Sequence, residues 1–472
     1  MCGIIGIFNF FPNTKINKEI QEGLEKIQSR GQDGYGYYLE YQKQIYYQRF
    51  PGKILPQTIL NSYQIALGQN RYPTSYGIQK DRIESLQPFI GHHPELGKFI
   101  MIHNGNINQL ASIQKKFQLP EDLEYENDSH LLVKIIEHSN KFNNIRDILV
   151  EILENIPGVY NILVYFSRLE TLYGIKDRTG NRPLCVGINR RGICITSESV
   201  ALGNYEYERE IKAGEIVKVD NKGLESIYQS HQFYQNCIFE YIYLMRKDSL
   251  LSKIEYETPE SRLKKVRVLN LRQDFGRELG RQETYKITQY NRSKIMVIGA
   301  PQTGIPIGES YAESLDIPYG QYLFKNKKAQ RSFILADNTK RKAELNKKFG
   351  IDTTLSIQDK IVFFVDDSLV RGNTIQTIVD ILKSGNPAEI HIRIASPPVK
   401  FPCYYGIDIP KSEELVMSHY DISELEQKLD ITSLKFLKPE SMAYVIKKNI
   451  NFDQKQLCMG CFTGKYHPLL EF

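Results

Sequence analysis

The 472-residue sequence has no tryptophan, only seven cysteines and no long run of apolar residues. A membrane-spanning helix needs about 18 or more consecutive apolar residues, whereas the longest candidates here, such as 361–365, have the length of a strand. Seven cysteines are too few for a disulfide scaffold, and an odd number is typical of a reducing compartment. We therefore expect a cytoplasmic protein with no membrane partner.

The sequence also lacks a strong charge of either sign. Lys and Arg together number 61 and Asp and Glu 55, so the formal net charge is +6. That small excess suits an anionic small molecule at least as well as nucleic acid, and we expect no nucleic-acid partner. The chain is 41% hydrophobic and 25% charged, which is ordinary globular composition. Its length predicts two or more domains.

The first half of the chain combines β-rich runs with two helical patterns. Short apolar runs such as 159–166 and 192–196 predict strands. Apolar residues at helical spacing predict one helix over about 16–27 and another over about 128–140. This pattern indicates sheet layers with helices outside them, and we assign it to a domain at 2–230.

The second half, assigned to a domain at 231–472, repeats a strand–loop–helix unit. A buried strand at 294–298 leads into the loop 299–304, and a second strand at 361–365 leads into the loop 366–374. A helix follows each loop. Repeated units of this kind predict a doubly wound, mostly parallel sheet with its ligand loops at the carboxyl ends of the strands.

Cys2 stands directly after the initiator methionine. Removal of Met1 would leave a first residue that carries both a thiol and a free α-amine. Because an α-amine has a pKa near ~8, it can act as a general base for its own side chain. The alternative is that Cys2 is a small residue of the core.

Further motifs follow Cys2 in order, at 30–36 (RGQDGYG), 68–74 (GQNRYPT), 87–89 (QPF) and 103–106 (HNGN). This series resembles the class II glutamine amidotransferases over about residues 2–230. The resemblance implies a sandwich of two antiparallel sheets between helical layers.

The same resemblance implies a role for each matched residue. Cys2 is the nucleophile that attacks the carboxamide of glutamine, and the Asn104 side chain and the Gly105 amide form the oxyanion hole. Arg71 holds the carboxylate of the substrate, and Asp128 holds its ammonium group. Together they select a free amino acid.

The loop 366–374 places two aspartates before a predicted helix. The N–H groups at a helix N-terminus suit a phosphate, and paired carboxylates can accept hydrogen bonds from ribose hydroxyls. The run resembles the phosphoribosylpyrophosphate (PRPP) signature of type I phosphoribosyltransferases. The PRPP contacts it implies are Asp366, Asp367, Ser368, Arg371, Gly372, Asn373 and Thr374, with Asp366 and Asp367 also as ligands of Mg²⁺.

Two other segments resemble parts of the same family. The loop 300–304 matches its pyrophosphate site, which implies that Gln302 and Thr303 contact PRPP. The run 325–334 matches its catalytic loop and implies that Lys325 and Arg331 bind the pyrophosphate. The alternative for this Lys-rich run is a solvated surface.

Taken together, the two halves resemble the glutamine phosphoribosylpyrophosphate amidotransferases over nearly the whole chain. The resemblance implies that ammonia released at Cys2 crosses an interior channel to C1 of PRPP and displaces pyrophosphate, the first committed step of purine synthesis. It also implies a homo-oligomer inhibited by purine nucleotides.

Four cysteines match the ligand positions of the iron–sulfur subgroup of this family: Cys237, Cys403, Cys458 and Cys461. The resemblance implies that they hold a [4Fe–4S] cluster. Taken alone, the C-x-x-C pair at 458–461 is also compatible with zinc, a redox pair or two ordinary thiols.

The departures from the family pattern lie in the second half. Gln302 is neutral where an acidic residue is usual, and Ile375 stands where a small hydroxylated residue often cradles the 5′-phosphate. They leave two alternatives open. One is a paralogue that delivers ammonia to another phosphorylated acceptor, and the other is a protein that senses PRPP or nucleotides without turnover.

Overall fold

The computed structural model describes residues 2–72, 83–139, 144–253, 264–285, 287, 291–325, 349–352, 354–409 and 411–467. The helices in these ranges are α1 (Lys15–Lys26), α2 (Leu110–Lys116), α3 (Asp128–Glu137), α4 (Ile145–Asn155), α5 (Val268–Arg281), α6 (Ile305–Leu315), α7 (Asn373–Ser384), α8 (Val416–His419), α9 (Ile422–Leu429), α10 (Pro439–Ile450) and α11 (Gly460–Thr463). None of these helices is long and apolar enough to cross a bilayer.

The strands of the first half are β1 (Gly3–Asn13), β2 (Gly34–Tyr41), β3 (Gln44–Pro51), β4 (Tyr63–Arg71), β5 (Phe89–His93), β6 (Gly97–Asn106), β7 (Val159–Phe166), β8 (Thr171–Lys176), β9 (Cys185–Asn189), β10 (Gly192–Thr196), β11 (Glu206–Glu210), β12 (Glu215–Asp220) and β13 (Gly223–Gln229). They form two antiparallel sheets, ordered β11-β9-β10-β1-β4-β2-β3 and β13-β12-β8-β7-β6-β5.

Apolar side chains fill three layers around these sheets. Ile4, Phe8 and Leu163 belong to the core between the two sheets. Ile16, Ile20 and Leu24 of α1 pack on the outer face of the first sheet, as their helical spacing predicts, and α2, α3 and α4 cover the outer face of the second. Every residue of β7 is buried because both faces of that strand are covered. The predicted sandwich between helical layers is confirmed.

The strands of the second half are β14 (Asn236–Cys237), β15 (Leu250–Lys253), β16 (Lys264–Arg267), β17 (Ile295–Gly299), β18 (Leu323–Lys325), β19 (Phe349–Ile351), β20 (Ile361–Asp366), β21 (Glu389–Ile394), β22 (Ser433–Phe436) and β23 (Leu457–Cys458). Strands β17, β20, β21 and β22 form a parallel sheet in that order. Apolar residues of α5, α6 and α10 pack on one face of this sheet and those of α7 and α9 on the other. The predicted doubly wound parallel sheet is confirmed.

Two details of this sheet differ from the sequence pattern. Strand β17 begins at Ile295, one residue later than predicted, because Lys294 belongs to a short 3₁₀ turn before it. Strand β21 is buried on both faces, although His391 and Arg393 alternate with its isoleucines. Arg393 Nε donates to Glu283 at 2.5 Å, and His391 Nε2 lies 2.8 Å from Glu389. These carboxylates satisfy polar groups that a parallel strand would otherwise bury unpaired.

The two halves share a hydrogen-bonded seam. The amides of Phe233 and Gln235 donate to the carbonyls of Arg178 and Thr179 at 3.0 and 2.8 Å. The fully buried guanidinium of Arg30, in the first half, pairs with both Glu198 and Glu240. Such contacts hold the halves closely together, and the domain boundary near residue 230 stays a prediction.

Candidate active sites and a cysteine cluster

Cys2 lies at the end of a central strand of the first sheet. Strand β1 runs between β10 and β4, so the residue before it stands beside the end of β4. The amide of Tyr72 donates to Cys2 Sγ at 3.5 Å, and Cys2 Sγ lies 3.7 Å from the Tyr72 carbonyl oxygen. The thiol is partly exposed. It therefore stands next to the residue that follows Arg71 and is open to a substrate.

Asn104 and Gly105 stand at the end of β6, in the second sheet. Asn104 is 1% exposed, and its Nδ2 donates to Ser197 Oγ at 3.4 Å. The same hydroxyl oxygen accepts the amide of Ile4 at 3.0 Å, two residues from Cys2. A Cβ on Gly105 would lie 2.1 Å from the Val159 carbonyl oxygen, so only glycine fits there. Ser197 Oγ thus connects Asn104 to the strand that begins directly after Cys2.

Arg71 and Asp128 are joined through two polar residues. The guanidinium of Arg71 donates to the Ser85 hydroxyl, and Asn127 Nδ2 donates to the Ser85 carbonyl at 3.4 Å. Asp128 is the first residue of α3, where the helix dipole favours a carboxylate. Its Oδ2 accepts the amide of Ile107 at 3.1 Å. The predicted contacts for the two charged ends of an amino acid therefore belong to one network.

Three further residues of the glutamine site had no role assigned from the sequence: Gln87, His103 and Ser129. Gln87 Oε1 accepts the His103 amide at 2.6 Å, and Gln87 Nε2 donates to Ser129 Oγ at 2.9 Å. His103 Nδ1 lies 2.8 Å from the same hydroxyl oxygen. Burial lowers the pKa of His103, and the Asp128 carboxylate acts in the opposite direction. The only sequence signals for them were the motifs that contain Gln87 and His103 and the place of Ser129 next to Asp128.

The predicted second helix of the first half is slightly shorter than expected. Helix α3 ends at Glu137 with His138 as its C-cap, and residue 140 lies outside the described residues. The last two residues of the motif 68–74 also lie outside them. Cys185 and Cys194, which have no role in the site, are both buried in the core of this half.

A second site lies at the carboxyl ends of β17 and β20. Asp366 is partly exposed, and its Oδ1 accepts the amide of Asp367 at 2.8 Å. Asp367 is 3% exposed and accepts the hydroxyls of Thr303 and Ser368. Burial raises the pKa of Asp367, whereas these two hydroxyls and the nearby charge of Arg272 lower it. The aspartate pair thus divides into one outward and one inward carboxylate.

Arg272 was not predicted from the sequence. This arginine of α5 is 3% exposed, and its guanidinium donates to the carbonyls of Tyr241 and Met245 at 3.0 and 2.7 Å. Its charge acts on Asp367, nearly a hundred residues away in the chain, so only the fold reveals it. Arg272 supplies the buried positive charge behind the aspartate pair.

The loop after the aspartate pair leads directly into α7. Gly372 is the N-cap of α7 with φ +80°, a conformation that favours glycine. Asn373 is exposed and Thr374 is partly exposed, whereas the Ile375 side chain is 3% exposed and packs in the core. The N–H groups of the first turn are donors of the kind that suit a phosphate, and phosphate binding here stays a prediction.

Arg371, predicted to contact PRPP, is engaged by carboxylates of the protein. Its Nε donates to Glu414 at 3.0 Å, and its NH2 group donates to Asp408 at 3.5 Å. Asp408 also accepts the Tyr72 hydroxyl at 2.8 Å. Burial raises the pKa of Tyr72, and the Asp408 charge adds to that effect. Asp408 therefore links the residue beside Cys2 to the PRPP loop.

The predicted pyrophosphate loop is only partly enclosed. Its Ala300 amide donates to the Val365 carbonyl at 2.8 Å, which fixes the loop beside β20. The peptide bond between Pro301 and Gln302 is cis, and the Gln302 side chain is exposed. Lys325 ends β18, but its side chain is not described, and Arg331 lies outside the described residues.

The four cysteines of the predicted cluster come together from three segments. Cys237 and Cys458 are direct partners in the parallel pair β14–β23. Cys461 lies in α11, and Cys403 packs against the same core. Burial raises the pKa of Cys237, Cys458 and Cys461, that of Cys458 to about 11, and charge on neighbouring thiols of the group raises each further.

A hydrogen-bond donor and a buried positive charge lie near these thiols. The Tyr405 amide donates to Cys403 Sγ at 3.4 Å, and the charge of Arg182 lowers the pKa of Cys237 and Cys458. Arg182 is 1% exposed and donates to the Tyr405 carbonyl. No group of three or more His, Cys, Asp or Glu in the part of the chain that the structure describes is spaced to hold a metal ion.

Comparison with known proteins finds relatives of both halves of the chain. A glutamine amidotransferase domain model matches residues 75–204, and a phosphoribosyl transferase domain model matches residues 273–395. The amidophosphoribosyltransferase of Methanocaldococcus jannaschii is 28% identical over 504 aligned residues, covering 100% of this chain and 98% of that protein. The amidophosphoribosyltransferase of Bacillus subtilis is 27% identical, and the alignment covers 98% of this chain and 94% of the B. subtilis protein.

A solved structure shares the whole fold. It is the glutamine PRPP amidotransferase of B. subtilis complexed with ADP and GMP, with a TM-score of 0.83 and 27% identity over 98% of this chain and 97% of its own. The chain is thus an enzyme that joins a glutamine amidotransferase domain to a phosphoribosyltransferase domain. Over nearly its whole length it is similar to the amidophosphoribosyltransferases.

Proposed function

We propose that this chain transfers the amide nitrogen of glutamine to C1 of PRPP, the first committed step of purine synthesis. The products are phosphoribosylamine, glutamate and pyrophosphate. One observation carries the proposal above all: Asp408 contacts both Tyr72, beside the nucleophile, and Arg371, in the PRPP loop. The nitrogen-releasing site and the sugar site therefore form one connected unit.

The first reaction is an acyl transfer at Cys2. As Sγ bonds to the carboxamide carbon of glutamine, negative charge develops on the carbonyl oxygen, where Asn104 Nδ2 and the Gly105 amide stabilise it. The α-amine of Cys2 takes the thiol proton and returns it to the leaving ammonia. Water then cleaves the thioester and releases glutamate.

Charge at both ends selects the amino acid. Arg71 pairs with the α-carboxylate of glutamine, and Asp128 pairs with its ammonium group. Their protein partners, Ser85 and Ile107, hold the two charged groups in place before substrate binds. A fixed separation between a cation and an anion favours a free amino acid over a peptide or a simple amide.

The second reaction takes place at the aspartate pair. The outward carboxylate of Asp366 accepts the ribose hydroxyls, while the inward Asp367 fixes the loop through Thr303 and Ser368. The first turn of α7 binds the 5′-phosphate through its N–H groups. Ammonia attacks C1 of the ribose and the bond to pyrophosphate breaks. Asp366, whose carboxylate is partly exposed, fits as a ligand of Mg²⁺. The metal would neutralise the charge of the leaving pyrophosphate.

We propose further that Cys237, Cys403, Cys458 and Cys461 bind a [4Fe–4S] cluster. Four thiolate ligands are what such a cluster requires, and these thiols lie within electrostatic reach of one another. The amide on Cys403 Sγ and the buried charge of Arg182 would stabilise thiolate sulfur. The cluster would tie together the three segments that carry its ligands.

Iron analysis tests the cluster. Protein purified without oxygen is expected to contain about four irons and four sulfides per chain and a brown chromophore. Cys458→Ser should lose both, whereas the matched variant Cys185→Ala, at a buried cysteine outside the group, should keep them. Stoichiometric zinc without iron would contradict the cluster.

The remaining proposals concern partners and location. The solved B. subtilis relative is complexed with ADP and GMP, and we propose that purine nucleotides inhibit this enzyme. We also propose that it works in the cytoplasm as a homo-oligomer. Light scattering measures the oligomeric state, and inhibition by ADP and GMP is measured at subsaturating PRPP.

One assay tests the reaction itself. Protein supplied with glutamine, PRPP and Mg²⁺ should release glutamate and pyrophosphate in equal amounts, and ammonia should replace glutamine at high concentration. Release of glutamate without pyrophosphate would indicate another acceptor of the ammonia. The neutral Gln302 is the sequence feature that suggests this alternative. Release of neither product would indicate a binding protein without turnover.

A further inference from the structure

The imidazole of His103 is a buried group to which the mechanism above assigns no role. His103 is 2% exposed and directly precedes Asn104 in β6. Its amide donates to Gln87 Oε1 at 2.6 Å, and its carbonyl accepts Gln69 Nε2 at 2.8 Å. The backbone is thus held on both sides, and the ring has a defined direction.

The hydrogen bonds around Ser129 determine which ring nitrogen carries the proton. Because Gln87 Oε1 accepts the His103 amide, Gln87 Nε2 is the atom that donates to Ser129 Oγ, at 2.9 Å. The Ser129 hydroxyl donates to Asp128 Oδ1 at 3.3 Å, since a carboxylate can only accept. We assign the ring proton to His103 Nδ1, 2.8 Å from Ser129 Oγ, because this leaves the single Ser129 proton for Asp128.

This assignment connects the imidazole to the ammonium end of the glutamine site. Asp128 Oδ1 also accepts the Ser129 amide at 2.8 Å. With this assignment, His103 Nδ1–H and Gln87 Nε2 both donate to Ser129 Oγ, and the hydroxyl proton points towards Asp128. The neutral ring, whose pKa burial lowers, keeps this orientation at neutral pH.

The opposite edge of the ring lies at the oxyanion end of the site. A Cβ on Gly105 would lie 2.5 Å from His103 Nε2 and 2.1 Å from the Val159 carbonyl oxygen. His103 Nε2 itself is buried and has no hydrogen-bond partner among the residues that the structure describes. The ring edge and the Val159 carbonyl therefore close the space beside Gly105.

We propose that His103 is a positioning residue for the glutaminase reaction that serves both ends of the substrate. Its Nδ1–H holds Ser129 towards Asp128, and its Nε2 edge keeps the Gly105 amide in place. The inference rests on the proposed roles of Asp128 and Gly105. It predicts that the two ring nitrogens affect two different kinetic constants.

Two amide substitutions separate the two edges of the ring. His103→Asn places an amide nitrogen near the Nδ1 position and leaves the Nε2 edge empty. We expect the KM for glutamine to stay within about twofold and kcat to fall roughly tenfold. His103→Gln reaches the Nε2 position but loses the Nδ1 donor, and we expect the KM to rise roughly tenfold while kcat stays within about threefold.

The measurement is glutamate release by the full-length protein at saturating PRPP and Mg²⁺. A purely structural role would change both constants by the same factor in both variants. That result, or no change in either variant, would overturn the proposal.

Ser129→Ala provides an independent variant that leaves the ring intact. It removes the hydroxyl between His103 and Asp128, so the KM for glutamine should rise roughly tenfold with kcat unchanged. If the His103 variants fail to fold, this variant decides: an unchanged KM overturns the proposal.

Ammonia-dependent release of pyrophosphate tests whether the phosphoribosyl site of each variant is intact. The rate of this release should equal that of the parent protein. If the parent itself releases no pyrophosphate, the proposed acceptor is wrong. Glutamine kinetics remain measurable in that case, so the two failures are distinguishable.

Discussion

The glutamine site and the phosphoribosyl site differ in how the protein holds their functional groups. At the glutamine site, Asn104 and Asp128 are bound by other residues of the same half through hydrogen bonds. At the phosphoribosyl site, Asp367 and Arg371 are held in this way, whereas Gln302 and Asn373 are exposed. One site has its groups in place before substrate binds, and the other leaves many of them to the ligand.

The difference follows from the chemistry of each step. Acyl transfer creates charge on a single oxygen, so two donors must stand at fixed positions. Displacement of pyrophosphate spreads charge over many oxygens, which backbone N–H groups and a metal ion can neutralise in several arrangements. The rigid site therefore tolerates substitutions less well, and the predictions below test this contrast.

Cys2→Ala should have the largest effect. Removal of the nucleophile is expected to lower glutamine-dependent kcat by roughly 10⁶-fold, to the limit of detection. Ammonia-dependent pyrophosphate release should remain, because it needs only the second site. Cys194→Ala, at a buried cysteine of the same half, serves as the control in both assays. Loss of the ammonia reaction in Cys2→Ala would break the proposed separation of the sites.

Gly105→Ala should rank second. The new Cβ would lie 2.1 Å from the Val159 carbonyl oxygen, so the backbone must move and its N–H leaves the oxyanion position. Loss of one such donor costs about 10²–10³ in kcat. Thermal unfolding and the ammonia reaction establish that the rest of the protein is intact. A kcat for glutamine close to that of the parent would remove Gly105 from the oxyanion hole.

Tyr72→Phe should have a smaller effect, and we expect it in the coupling between glutamate release and pyrophosphate release. It removes the hydrogen bond to Asp408, which links the two sites. We expect the ratio of glutamate to pyrophosphate released to rise roughly 3- to 10-fold, because a hydrogen bond to a charged group is lost. Tyr404→Phe provides the control at an exposed tyrosine of the same region. Equal amounts of the two products in Tyr72→Phe would mean that this contact does not couple the sites.

The KM for glutamine should depend little on pH. Burial lowers the pKa of His103 below the ordinary histidine value of about 6.5, so the neutral ring predominates above that pH. Between pH 6.5 and 8 we therefore expect no change in KM from this group. A KM that rises several-fold as the pH falls through this range would show that the ring becomes protonated in the working enzyme.

Much of the site was predictable because its chemistry is local in the chain. Cys2, the pair Asn104–Gly105 and the aspartates at 366–367 each lie in a short motif whose residue types suit one task. Helix α1 and strand β20 were predictable from apolar periodicity alone. Arg371 shows where this approach ends, because its neighbours in sequence do not reveal its ion pairs with Asp408 and Glu414.

The sequence by itself determined which residues we propose for the chemistry: the thiol of Cys2, a glycine for the oxyanion position and a pair of aspartates before a helix. The tertiary structure alone decided which distant groups support them. Tyr72 and Asp408 are 336 residues apart in the chain, and Arg272 acts on Asp367 from another helix. A motif records only what must be adjacent along the backbone, whereas buried polar groups find their partners across the packed core.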